Sequence, residues 1–125
     1  MPHLAAHTQA GEPLRSEEAE SLAETMRAFG AASRLRLLFA LVGGARTVEQ
    51  LAGLAELQMS AASHQLRILR ALKLVRVRRE GRHALYSLHD HRVEQLLSAV
   101  RAHHEHVHPP TTDELAAPPS TTAAA

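Results

Sequence analysis

"SAASHQLRILRALKLVRVRREGRHALYSL", residues 60 to 88, changes its apolar period once, and that change decides the fold. In its first half Ala62, Leu66 and Leu69 recur at three- and four-residue intervals, which line one stripe of a helix. Ser60, Ser63, His64 and Arg67 fall outside that stripe, near the start of the helix that Ser60 opens. From Val75 the interval drops to two. Val75 and Val77 alternate with Arg76 and Arg78, "REGR" at 79 to 82 supplies a turn, and Ala84, Tyr86 and Leu88 alternate with Leu85 and Ser87. A two-stranded hairpin with a basic tip therefore follows the helix.

Working outward, three more helices precede this block. Ser16 is an N-cap candidate for a first helix in which Ala19, Leu22, Ala23, Met26 and Phe29 recur at helical spacing until Gly30. Ser33 opens a second, with Leu37, Leu38 and Leu41 on one face and Gly43-Gly44 at its end. Thr47 and Gln50 have the spacing of a capping box, so "TVEQLAGLA" reads as a third. Downstream, Asp90 is an N-cap candidate for a last helix carrying Val93, Leu96, Leu97, Val100, His104 and Val107. Pro109 and Pro110 stop it. Residues 1–15 read as a flexible arm, 16–108 as one DNA-binding and dimerisation domain, and 109–125, rich in Pro, Thr and Ala, as a disordered tail.

Composition narrows the possibilities further. A chain of 125 residues has room for one domain, and with two Phe, one Tyr and no Trp its core must be built of Leu, Ala and Val. The absence of cysteine excludes disulfides, thiolate metal sites and a Cys nucleophile. No apolar run approaches the roughly 18 residues of a membrane helix, and no segment reads as a secretory leader, so a soluble cytoplasmic protein without membrane partners is expected. No nucleophile elbow, phosphate-cradling glycine loop or paired carboxylates on a common face suggest an enzyme.

Charge is distributed unevenly. Arg67, Arg70, Lys73, Arg76, Arg78, Arg79 and Arg82 face the single acid Glu80 between residues 59 and 83, whereas Glu12, Glu17, Glu18, Glu20 and Glu24 gather near the first helix. A basic helix can be merely a solvated face, but one followed at once by a basic hairpin is the footprint of a phosphate-binding surface. Two short helices and a hairpin describe a winged helix-turn-helix, mainly α, whose fourth helix would enter the major groove of double-stranded operator DNA. Arg67 can pair with guanine and Gln65 with adenine, while Ser60 and Ser63 suit phosphates. Arg78, Arg79 and Arg82 would reach a flanking backbone or minor groove. His64 and, at the wing, His83 suit a polar surface or a phosphate contact.

"SRLRLL", "SAASHQLRILRALKLVRVRREGRHALYSL" and the histidine-bearing last helix together resemble the ArsR/SmtB family of winged-helix, metal-responsive transcription regulators, over about residues 16 to 108. The resemblance is nearest the family's nickel- and cobalt-sensing branch. It implies a homodimer joined through the first and last helices, DNA binding by the fourth helix and wing, and an effector that in most members releases the operator, with the sign of the response in this chain left open. It also implies a fifth-helix metal site with the pattern Asp, any residue, His, ten residues, His, two residues, His or Glu. Asp90, His103 and His106 match that pattern, but Arg92 stands where a histidine belongs and cannot ligate.

The residues themselves point the same way. Ten histidines are many for this length, and "HHEHVH" at 103 to 108 holds four of them. His103 and His106, at i and i+3, lie on one flank of the last helix and can hold one ion together. Asp90 lies thirteen residues earlier, about 20 Å along one helix, so it can join them only from a second chain whose last helix runs antiparallel. His91 is the first substitute for the missing ligand, with His89, His104 and His108 as others; His104 and His108 could equally be packing residues. His3 is a further donor, favoured by the N-terminal Gly-His that the resembled branch recruits, although Pro2 here replaces that Gly. His7 is weaker. Imidazole and carboxylate donors without thiolates suit Ni(II) first, with Zn(II) and Co(II) as alternatives. Other expectations are the same DNA reader without a metal, or dependent on an accessory protein, and a histidine-rich metal chaperone or store.

Overall fold

Leu37, Leu38, Leu51, Leu66 and Leu69 are wholly buried, and they come from three successive helices. Each such side chain contributes about 1.5 to 3 kcal/mol of burial, so their convergence fixes how those helices pack. The computed structural model describes residues 11–111. Its elements are α1 (Ser16–Phe29), α2 (Ala32–Ala40), β1 (Arg46–Thr47), α3 (Val48–Ala55), α4 (Met59–Ala71), β2 (Val75–Glu80), β3 (His83–Leu88) and α5 (His91–Val107). This is the expected winged helix-turn-helix, with one strand more than the period revealed. β1 pairs with β3 through Arg46–Tyr86 and Thr47–Leu85, giving an antiparallel sheet of order β1-β3-β2. Two residues are too few to display an alternation.

Helix starts divide into two kinds. Thr47 accepts from the Gln50 amide at 3.2 Å while Gln50 Oε1 accepts from the Thr47 amide at 3.0 Å, closing the expected capping box. Asp90 Oδ1 accepts from the amides of Arg92 and Val93 at 2.9 and 3.4 Å, so it caps α5 as expected. The serines do not cap. Arg15, Ala31 and Gln58 hold the N-cap positions of α1, α2 and α4, without side-chain bonds. Their carbonyls accept from Ala19, Leu35 and Ala62, so each ladder starts one or two residues before Ser16, Ser33 or Ser60.

Two non-glycine residues in the left-handed region shape the DNA-reading half. Glu56 (φ 56°) ends α3 and lets Leu57 N donate to Ala52 O at 2.9 Å, which turns the chain into α4 within three residues. Lys73 (φ 59°) ends α4, where Leu74 N donates to Leu69 O at 2.9 Å; this bond closes the last turn and leads the chain directly into β2. At the wing tip Glu80 pairs with His83, leaving Gly81 and Arg82 as the turn. Gly81 has φ +62°, and glycine at the first turn position suits a tight hairpin of this kind.

Replacing Thr47 by Ala removes one half of the α3 capping box outright and leaves the other unsupported. It should destabilise the fold by about 1 kcal/mol and lower the melting temperature by about 4 to 8 °C, measured by thermal unfolding at fixed protein concentration.

Candidate nucleic-acid interface and metal ligands

α4 separates its two faces sharply. Ala62, Leu66 and Leu69 are fully buried, as the stripe predicted, and Ser60, His64, Arg67 and Arg70 are exposed on the opposite side. Ser63 is half-buried between them. Gln65 is half-buried too, and its Oε1 accepts from Arg34 Nη1 at 3.1 Å, so this amide is held toward α2. The first turn of α4 carries no acidic side chain and no side-chain cap, leaving the amides of that turn to face outward ligands.

The wing continues the basic surface. Arg76, Arg78, Arg79, Arg82 and His83 are exposed. Val77, Arg79, Ala84 and Tyr86 share one face of the hairpin, and Arg78, Glu80, His83 and Leu85 the other. Arg78 meets Glu80 at 3.5 Å, a solvent-exposed pair of little energetic weight. Among the described residues Arg67, Arg79 and Arg82 have no acidic partner, so their charge is free for an external anion.

α5 is buried only at Val93 and Leu97. Leu96, Val100 and Val107 leave 40 to 51% of their surface open, and on α1 Leu22 and Met26 leave 47 and 58%. Met26, Phe29, Leu35, Leu96, Leu97 and Val100 line an open apolar groove between the two helices. At 100° per residue, His103 falls within about 60° of Leu96, Val100 and Val107, inside this uncovered stripe, and His106 flanks it. Asp90, His89, His91, Arg92, His103 and His106 are all exposed. Since α5 is one continuous helix, its two ends do not meet within the chain. Accordingly, no three His, Asp or Glu side chains converge on a metal position among the described residues.

The neighbouring histidines do not pack in the core. His104 and His108 are exposed and stack on each other with ring centroids 4.4 Å apart, and His108 Nδ1 lies 3.2 Å from His104 O. They sit on the core-facing side of α5, but beyond the point where the core ends. His3 and His7 lie outside the described residues.

Comparison with known proteins settles the family. The model of bacterial regulatory proteins of the arsR family matches residues 32–77. The transcriptional regulator NmtR of Mycobacterium tuberculosis is 45% identical over 96 residues, spanning 77% of this chain and 80% of its own. The chain belongs to the ArsR family. The solution structure of apo-NmtR superposes with a TM-score of 0.66 at 40% identity, covering 92% of this chain and 94% of that one. The homodimeric winged helix-turn-helix DNA-binding domain Mb0332 of Mycobacterium bovis gives 0.68 at 30% identity, covering 82% and 100%. A Staphylococcus aureus homologue of the cadmium resistance regulator CadC is 29% identical over 79% of this chain and 83% of its own. This ArsR-family chain is thus a DNA-binding transcription regulator and not an enzyme. No helix among its described residues is long and apolar enough to cross a membrane.

Sequence reasoning missed Arg34, whose guanidinium bonds three ways within the fold, and Arg101, which lies 5.2 Å over the Phe39 ring and fastens α5 to α2. Neither disturbs an apolar period, so no periodic signal marks them. The buried half of α4 holds its outward half in place. Leu66→Ala should therefore destabilise the ArsR-family fold by about 2 to 5 kcal/mol, read from urea unfolding, with the loss scaling with the cavity left behind.

Proposed function

We propose that this chain is a homodimeric transcription regulator whose affinity for operator DNA is coupled to a divalent ion, Ni(II) before Zn(II) or Co(II), held between the last helices of two chains. One observation carries the reading: α5 presents an uncovered apolar stripe of Leu96, Val100 and Val107, and His103 lies within it. A second copy laid antiparallel along this stripe buries it and carries the partner chain's Asp90 end toward His103 and His106. The homodimeric state of the Mb0332 domain supports the pairing. The apo form of NmtR and the cadmium-resistance role of CadC support an ion as effector.

On the DNA side, the exposed N-terminal half of α4 enters the major groove. Arg67 reads guanine, Ser60, Ser63 and His64 hold the adjacent phosphates, and Gln65 stands behind them. Arg78, Arg79 and Arg82 grip the flanking backbone or minor groove. On the metal side, His103 and His106 supply imidazoles, and Asp90 supplies its second carboxylate oxygen, because capping α5 occupies only Oδ1. His91 replaces the ligand lost to Arg92, and His3 completes the set from the N-terminal arm. Nitrogen and oxygen donors in this number suit six-coordinate nickel or cobalt better than tetrahedral zinc. A bound ion would cross-link the subunits and so bias the spacing of two α4 helices that must match half-sites about 34 Å apart.

A mobility-shift titration on the DNA upstream of the chain's own coding sequence, with and without Ni(II), tests this. The expected ion effect on operator affinity is about 5- to 150-fold. Substituting both His103 and His106 by Ala should abolish that effect and leave apo binding intact, whereas Arg67→Ala should cost about 1 to 3 kcal/mol of operator affinity and relax base choice. Unchanged operator affinity together with no sub-micromolar ion binding in calorimetry would remove the sensor reading.

A further inference from the structure

Arg34 joins three elements through one guanidinium. From α2 its Nε donates to Ala28 O at 2.8 Å and its Nη2 to Arg27 O at 2.9 Å, at the C-terminus of α1. Its Nη1 donates to Gln65 Oε1 at 3.1 Å, on the outward half of α4. The two carbonyls belong to the last turn of α1, where the helix ladder leaves oxygens unpaired and the macrodipole favours a cation. Arg27 O also accepts from Gly30 N at 3.0 Å, so the turn is fixed from both sides. α1 packs on α2 and α2 on α4. Arg34 spans that stack from the helix that bears the exposed Leu22 and Met26 to the helix that bears Arg67.

We propose that Arg34 is a positioning residue for operator reading: its fork sets the angle between α1, the dimer-facing helix, and α4, so that the two outward faces of a dimer are aimed at consecutive half-sites. The inference rests on the operator-binding reading above. The guanidinium suits this task because it is planar, permanently charged and able to donate in several fixed directions at once. A lysine ammonium at the same place keeps the charge beside the α1 carbonyls but cannot reach both of them and Gln65 from one plane. Half-burial and three internal bonds keep Arg34 itself from the phosphates.

The test compares wild type, Arg34→Lys, Gln65→Met and the double variant, each binding the upstream operator and a random duplex of equal length, with folding checked by circular dichroism. Arg34→Lys should lose about 5- to 100-fold in operator affinity, the scale of one mismatched base pair. Its affinity for random duplex should stay within about two-fold, with an unchanged salt slope, because no phosphate contact is lost. Gln65→Met leaves the α1 bonds in place and keeps the test alive should Arg34 variants unfold; it should lose operator preference too. The double variant should be no worse than the poorer single one, since both break the same bond. Equal losses on operator and random DNA with a shallower salt slope would make Arg34 a phosphate contact and overturn the inference. So would full preference in either single variant, or multiplicative losses in the double. A wild type that does not distinguish the two duplexes overturns the operator reading and this inference together.

Discussion

α5 is held to its own chain by two buried side chains, Val93 and Leu97, and by Arg101 lying over the Phe39 ring of α2. Every other apolar residue along it stays open to solvent. A helix of 17 residues fastened along one face presents its outer stripe as a surface to be covered. The same helix carries the densest run of histidines in the chain, so whatever covers the stripe also surrounds possible ligands. On the proposed reading, pairing between copies, ion capture and the distance between recognition helices would all depend on this one face.

α4, by contrast, is buried along its whole inner face. It is anchored by the fully buried Ala62, Leu66 and Leu69, and a left-handed residue beyond each end, Glu56 and Lys73, fixes where it starts and stops. Its basic face runs into the wing without an intervening acid. The acidic residues Glu17, Glu18, Glu20 and Glu24 lie instead on α1. A polyanion is thus drawn to the α4 and wing elements, away from the helix that bears the exposed Leu22 and Met26.

Much of this could be read from sequence, and the reasons for success and failure are physical. The α4 stripe, the Thr47–Gln50 box and the Asp90 cap are all local, set by spacings of two to four residues, and each has the predicted place in the structure; the hairpin is also present, but its turn is Gly81 and Arg82 alone, because Arg79 and Glu80 pair with Ala84 and His83 as the end of β2. The serines misled because a side chain able to cap does not decide where a ladder begins; the carbonyls of Arg15, Ala31 and Gln58 do. β1 needs Tyr86 and Leu85 opposite it to exist as a strand, and no local pattern announces a partner forty residues away. The Arg34 bonds to α1 and α4 are likewise tertiary. His104 lay on the apolar side by period alone, yet the core stops short of it and leaves it stacked against His108. The basic surface of α4 and the wing was legible because exposed charge clusters in sequence, whereas a ligand set divided between two chains would leave only fragments of its pattern in one.

In the proposed dimer the α5 stripe is covered by a second copy. Sedimentation equilibrium of the full chain, beside a variant carrying Leu96→Glu and Val100→Glu, tests it directly. The wild type should sediment at twice the chain mass at micromolar concentration and the variant at the chain mass with its helical content retained. A monomeric wild type, or a variant that still dimerises as tightly, would contradict the account.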